Sequence, residues 1–321
     1  MSLTASAIVA EYGAFYKKGT QGEKDLMMKL YRGAEFDAAF TYTPTEDTVI
    51  HKVTVSSDPV LQAFQKSFTP KGGATFEPMP INLRKVKADD DFHPDDIEAT
   101  YIGFLASNNL DRKEWPISRW YVEKVLMQQF IQDIDDNAYK AVYSAPTEGT
   151  AGAANAAFNG FKKVLIDNEA AGRIPTANIL TTGTIPTNPA DFVTWVEALV
   201  EAIPDDLRKR LQLGVHMSHA FATRYVKGMR AKYNANYLQE TELMKLADYK
   251  NVSVAGFSAM TGESGVFIAP KANLILGMKR PTELVRMESN KRKVDVYTDH
   301  WRGYGVADGR FIWLTNNIIP E

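Results

Sequence analysis

The chain has 321 residues, 45% hydrophobic and 24% charged, with no cysteine and a formal net charge of −2. That length supports one large or two modest cores, and the missing thiols exclude disulfides, thiolate catalysis and cysteine-ligated zinc. Near-neutral charge argues against the clustered basic excess that grips nucleic acid. No apolar run approaches the ~18 residues of a membrane span, and Met1–Val9 lacks the basic start of a signal peptide.

Residues 3–16 read as a short helix with Leu3, Ala7, Ile8, Tyr12 and Phe15 near one side, and Glu23 to Tyr31 as a second, carrying Leu26, Met27 and Leu30. Neither has apolar surface enough for its own core, so both are expected to dock elsewhere. From Asp47 to Leu83 the pattern turns extended. Val49–Val55 is β-rich, Phe76–Leu83 is proline-interrupted, and Asp58 to Gly73 between them is polar and turn-rich around Phe64 and Phe68. This predicts a long two-stranded arm with a loose tip. Because isolated ribbons are marginal in water, it also predicts a partner surface beneath the arm.

Pro116 to about Ala145 carries the strongest helical signal: Val122, Leu126, Phe130, Ile134, Ala138 and Val142 recur at i+4, with Val125, Ile131 and Ala141 widening the face. At ~1.5 Å per residue, about 28 residues would make a rod of roughly 42 Å. Alternation follows. Helices are expected over Asn155–Asn168, Pro189–Ile203 and Glu240–Ala247, and from an N-capping Ser218 to about Lys232. Strands are expected at Asn178–Thr182, Leu211–Met217, Val252–Val254, Val266–Ile268, Leu274–Leu276 and Val294–Thr298, and Asp308-Gly309 marks a tight turn before Phe311–Leu314. No internal repeat suggests a solenoid or propeller.

The residues that attract chemical attention have plain structural explanations. Asp89-Asp90-Asp91-Phe92-His93-Pro94-Asp95-Asp96 lacks the glycine and terminal glutamate of a calcium loop and reads as a solvated acidic turn before a helix. His216 and His219 straddle a strand–helix junction, which suits structural roles better than acid–base work. Gly303-Tyr304-Gly305 is too short to cradle phosphate and reads as a bulge or bend in a strand. Lys291-Arg292-Lys293 reads as a solvated or ion-paired strand edge in preference to a DNA contact. A soluble metal-dependent hydrolase would need clustered ligands that the sequence does not assemble, so neither an enzyme nor a cofactor is expected.

Taken together, the order and spacing of these elements resemble the α+β Hong Kong 97 phage-type capsid fold shared by tailed-phage major capsid proteins and encapsulins. Four passages carry the likeness: Ile81-Asn82-Leu83-Arg84-Lys85-Val86-Lys87-Ala88 after the arm, Asp135-Asp136-Asn137-Ala138-Tyr139 near the end of the long helix, Leu213–Phe221, and the closing segment from Leu274-Ile275-Leu276-Gly277-Met278 through Asp308-Gly309-Arg310-Phe311. The resemblance implies an N-terminal arm (1–46), an extended loop (47–82), a peripheral domain with a spine helix (83–149), an axial domain (150–270) and a return to the peripheral domain (271–321). It further implies a capsid subunit of the virion, assembled in the host bacterial cytoplasm. Its partners would be further copies in hexamers and pentamers, with scaffolding, portal and cement proteins as companions; it would enclose DNA without reading its sequence and touch no membrane. Phe64, Lys66, Phe68, Lys71, Lys291 and Arg292 are the candidate inter-subunit contacts. Some relatives join a loop lysine to a neighbour's asparagine, but no motif here supports such a bond from Lys66 or Lys71 to Asn290. The short stretch before the loop leads us to expect any scaffold to be separately encoded. An encapsulin-like nanocompartment is the alternative.

Overall fold

The computed structural model describes residues 4–15, 25–26, 29, 33–181, 183–234, 239, 243–279 and 285–319. Most of the expected helix at 23–31 and of the loop at 234–237, and the first three residues of the helix expected at 240–247, lie outside these residues. Beyond Leu243 that last helix is not formed, since Lys245 makes an isolated antiparallel bridge with Ser253.

The first helix, α1 (Ala5–Phe15), buries Ala5 and Ile8 and donates the Tyr12 hydroxyl to the Val285 carbonyl at 2.8 Å. It docks on its own chain. A 3₁₀ turn at Phe36–Ala39 then leads into β1 (Thr41–Thr45), β2 (Val49–Ser57), β3 (Ala74–Asn82) and β4 (Arg84–Phe92). Pro94 opens α2 (Pro94–Asn108), as its fixed φ and missing N–H suit a first turn. The acidic run is therefore not a turn. Asp89 to Asp91 belong to β4, in register with Tyr297 to Asp295 of the long C-terminal strand. Strand alternation puts Asp89 and Asp91 outward, where Lys87 and Lys293 pair with them, and points Asp90 to the side of Val86 and Phe92, where the Tyr121 hydroxyl donates to it at 2.5 Å.

The long helix, α3, begins at Ile117, passes through a π-helical stretch at Tyr121–Leu126 and ends at Asn137. The i+4 core of its expected apolar face is real, with Val122, Leu126, Phe130, Ile134 and Ala138 all buried, but Val125, expected to widen that face, is exposed and Ile131 is half-buried. Its expected continuation to Ala145 does not form. The carbonyls of Ala138 and Tyr139 accept the first amides of α4 (Phe161–Ala170), from Phe161 at 2.9 Å and Lys162 at 3.0 Å, while Gly160 N–H donates to Ala141. One helix end thus satisfies the orphan donors of the next helix start. Gly160 is needed there because a Cβ would lie 2.6 Å from the Tyr139 carbonyl oxygen. For the same reason α4 starts later than Asn155, and Val142 is exposed.

The remaining elements are β5 (Ile179–Leu180), α5 (Pro189–Glu201), α6 (Asp205–Arg210), β6 (Leu213–Ser218), α7 (His219–Tyr233), β7 (Val252–Phe257), β8 (Phe267–Pro270), β9 (Leu274–Lys279), β10 (Arg286–Asn290), β11 (Lys293–Val306) and β12 (Trp313–Thr315). Ser218 stands at the N-cap of α7 but makes no side-chain capping bond. One sheet runs β1-β9-β11-β10 with β4 also on β11; a second runs β5-β12-β8-β6-β7; β2 and β3 pair only with each other. The first sheet packs on α1, α3 and the segment around Phe36, and the second sandwiches its apolar face with α5 and α7. Two cores result. β12 places Trp313 in the second of them.

Candidate functional site

The feature that the two cores leave unexplained is the β2–β3 ribbon. Nine residue pairs, Val49↔Asn82 to Ser57↔Ala74, form a regular antiparallel ladder roughly 30 Å long at ~3.3 Å per residue. Only its base is buried, through Thr54, Met79 and Ile81, and every residue from Val55 to Pro78 is exposed. Among the described residues, seven of the twelve large hydrophobics left in solvent lie here: Val53, Val55, Val60, Leu61, Phe64, Phe68 and Phe76. Phe64 is 93% and Phe68 95% exposed. Monomeric proteins rarely hold such apolar surface in water without a partner for it.

Few bonds organise the tip. Asp58 N–H donates to the Gly73 carbonyl at 3.0 Å, Gln62 to Thr69 at 2.8 Å, and Lys71 Nζ to the Leu61 carbonyl at 2.7 Å. Lys71 therefore helps to shape the tip as well as to charge it. Lys66 is exposed beside it.

The base, in contrast, is tightly seated. Gly303 and Gly305 of β11 and Gly277 of β9, which pairs with Gly303, form a side-chain-free floor on the first sheet. A Cβ on Gly303 would run into the Asn82 carbonyl oxygen, one on Gly305 into the Ile81 side chain, and one on Gly277 would lie 2.7 Å from Ile50 Cδ1. The Gly-Tyr-Gly motif is thus no bulge or bend; it keeps strict register with β9 and lets the root of the arm cross the sheet at close range. Above the root, Arg310 reaches the Val55 carbonyl at 3.1 Å while its guanidinium is forked on Asp308. Asp308 raises the Arg310 pKa against the opposing effect of burial. The period-two glycines were a signal for the floor, but nothing in the sequence marked Arg310 as a strut.

The other two expected contact residues, Lys291 and Arg292, lie on a separate hairpin. They form the two-residue turn between β10 and β11, closed by the Asn290↔Lys293 pair, with Lys291 at φ 56°. They are an exposed cationic apex and not a strand edge. Asn290 donates to Asp295 at 3.0 Å.

Residues 34–40 are locked into the first core through Ala34, Phe36, Ala39 and Phe40. Phe36 is fully buried among Phe40, Phe161, Phe257, Tyr139 and Tyr304. Asp37 accepts from Arg302 at 2.9 and 3.0 Å and from the Tyr304 hydroxyl at 2.5 Å. Burial opposes the Arg302 charge, but Asp37 and Tyr304 together outweigh it and raise its pKa, so the guanidinium stays ionised. Burial and Asp37 together drive the Tyr304 hydroxyl far above its ordinary range, against the Arg302 charge. Of the histidines, His216 is stacked between Phe257 and Phe267 and His219 is exposed against Glu35. Among the described residues, no group of three His, Cys, Asp or Glu is placed to hold a metal ion, and no helix is long and apolar enough to cross a membrane.

No family model and no curated protein matches the sequence. Solved structures do match the fold. A chain of the satellite phage P4 procapsid, solved with its size determination (Sid) protein, superposes with a TM-score of 0.59 at 12% identity, covering 98% of this chain and 97% of its own. A chain of the capsid of the native GTA particle gives 0.54 at 14% identity over 87% and 88% of the two chains. One from Mycobacterium phage Adephagia gives 0.52 at 12% identity over 97% of each. At such identities the likeness is one of fold. The chain has the α+β fold of phage capsid proteins.

Proposed function

We propose that this chain is the major capsid protein of a tailed phage and self-assembles into the icosahedral head that encloses its double-stranded DNA. The observation that carries the reading is the ribbon 49–82: an ordered arm without a core of its own, rich in exposed apolar residues, on a fold shared with phage capsid chains over nearly its whole length. In this reading residues 47–82 are the extended loop of the Hong Kong 97 phage-type fold, laid on a neighbouring subunit. Residues 1–46 are the N-terminal arm, α3 is the spine helix of a peripheral domain spanning 83–149, 150–270 form the axial domain, and 271–321 return. Phe64 and Phe68 supply apolar contact area at the neighbour, and Lys66, Lys71, Lys291 and Arg292 supply charged contacts around it. Hexamers and pentamers, the assistance of scaffolding, portal and cement proteins, and assembly in the host cytoplasm belong to the same proposal. A net charge of −2 suits a wall that encloses DNA without gripping it.

Electron microscopy of the expressed chain tests this directly, alone and with the products of genes adjacent to its own. Closed shells with five-fold vertices are expected. A protein that stays monomeric under all these conditions would overturn the reading, and shells filled with protein in place of DNA in the native particle would redirect it to a nanocompartment.

A further inference from the structure

Where the N-terminal segment crosses α3, one hydroxyl hydrogen faces two carboxylates. Ser258, just after β7, places Oγ 2.7 Å from Glu35 Oε2 and 3.0 Å from Asp135 Oδ2. A serine hydroxyl has one hydrogen to donate and can otherwise only accept. If both carboxylates were ionised, one of these short contacts would set lone pair against lone pair. A second proton, on one of the carboxylates, removes that conflict.

The surrounding contacts decide where that proton sits. Glu35 also accepts the Ser258 amide at 3.2 Å and faces His219 Nε2 at 3.1 Å, so it is well supplied with donors. Asp135 Oδ1 accepts the Phe36 amide at 2.9 Å, and among the described residues Oδ2 has Ser258 as its hydrogen-bond partner. The charged groups facing Asp135 from the N-terminal segment are Glu35 and Asp37, both acidic, and Asp37 is already engaged by Arg302. On α3 itself Asp133 and Asp136 are neighbours in sequence. From α7, His219 faces Glu35.

We propose that Asp135 is protonated and donates to Ser258 Oγ, which donates its own hydrogen to ionised Glu35, forming a proton-dependent clamp between α3, the segment after β7 and the N-terminal segment. Burial raises the Asp135 pKa, aided by Glu35 and Asp37 and opposed by the Phe36 amide and Ser258. Partial burial pushes Glu35 up, but the Ser258 hydroxyl and amide and His219 together hold it below its ordinary value. The signs are opposite. The Asp135 contribution is fully present below its ordinary pKa and is lost as pH rises through its raised value; the Glu35 contribution is lost as pH falls through its depressed value. The clamp is whole between the depressed Glu35 value and the raised Asp135 value, and opens as pH rises past the latter. This inference concerns the folded subunit and does not depend on whether it assembles.

Hydrogen exchange by mass spectrometry on the full chain, corrected for intrinsic rates, tests it over about pH 4.5 to 8. Protection of peptides covering 33–40 and 256–262 should fall in the wild type as pH rises through the raised Asp135 value. In Asp135→Asn the amide N–H replaces the acid hydrogen and the side-chain oxygen still accepts from Phe36, so protection should stay high at every pH. Ser258→Ala should lose protection at every pH. Infrared spectroscopy should also show a protonated carboxyl band at the acidic end that Asp135→Asn removes. Wild-type protection that does not change with pH, or an unchanged pH dependence in Asp135→Asn, overturns the clamp.

Discussion

His300 is enclosed without a hydrogen-bond partner among the described residues, its ring edge-on to Phe130 at 5.5 Å, and His216 is equally isolated between two phenylalanines. Burial pushes both down to about 3, with Arg302 adding to the effect at His300. Both are therefore neutral in the fold and protonate far more readily in the unfolded chain. Their joint contribution is present above the ordinary pKa of 6.5 and is lost as pH falls from there towards 3, by up to about 1.4 kcal/mol per pH unit for each histidine. Urea unfolding at pH 7, 6 and 5 should show this acid loss, and His300→Leu should remove about half of the slope; an unchanged slope would show that the ring is not held neutral. Asp37 makes the opposite case, a buried charge that is needed. Asp37→Ala leaves the Arg302 guanidinium, whose side chain is 0% exposed, without its counter-ion. A loss of about 3–5 kcal/mol is expected, measured as a shift in denaturation midpoint.

At the scale of elements, the arm is held at its root by shape and not by polar bonds alone. Gly305→Ala would drive a methyl group into Ile81, and Gly303→Ala would drive one into the backbone of Asn82, which cannot rotate away. Each is expected to cost about 1–3 kcal/mol. Ile81→Ala in the Gly305→Ala background should recover part of that cost, giving a coupling energy of at least about 0.5 kcal/mol in a double-mutant cycle; strict additivity would mean that the two side chains do not meet. The arm itself was legible in the sequence, because β-rich flanks around a polar tip leave few other folds for 47–82. So was the buried face of α3, since i+4 periodicity is a local property. Its end at Asn137 was not, because the acceptors that stop it, Ala138 and Tyr139, are claimed by amides more than twenty residues later. The strand at Asp89–Asp91 was hidden because three aspartates contradict β-propensity, and only pairing with β11 and the cations Lys87 and Lys293 makes it tenable. The glycine floor needed the register of β9 against β11, which no single segment encodes.

For the whole molecule, the arrangement separates folding from association. Both cores close without any residue between Asp58 and Gly73, all of which are exposed, and the ladder ends at the Ser57↔Ala74 pair, so a short turn can join the strands in their place. Replacing exposed residues away from core features usually changes stability by no more than about 0.5 kcal/mol. Deleting Asp58 to Gly73 and inserting an Asn-Gly turn, a pair suited to two-residue hairpins, should leave the circular dichroism spectrum and the unfolding midpoint close to the wild type. It should nevertheless abolish stable shells, because the deletion removes Val60, Leu61, Phe64 and Phe68, the apolar surface that a neighbour would cover. Phe64→Ser with Phe68→Ser should fall between the two, giving shells that form slowly or dissociate at lower denaturant. The folded state of the deletion variant is the control that keeps this reading exposed to failure. If that variant folds and still gives shells in normal yield under the electron microscope, the arm is not the element that ties subunits together.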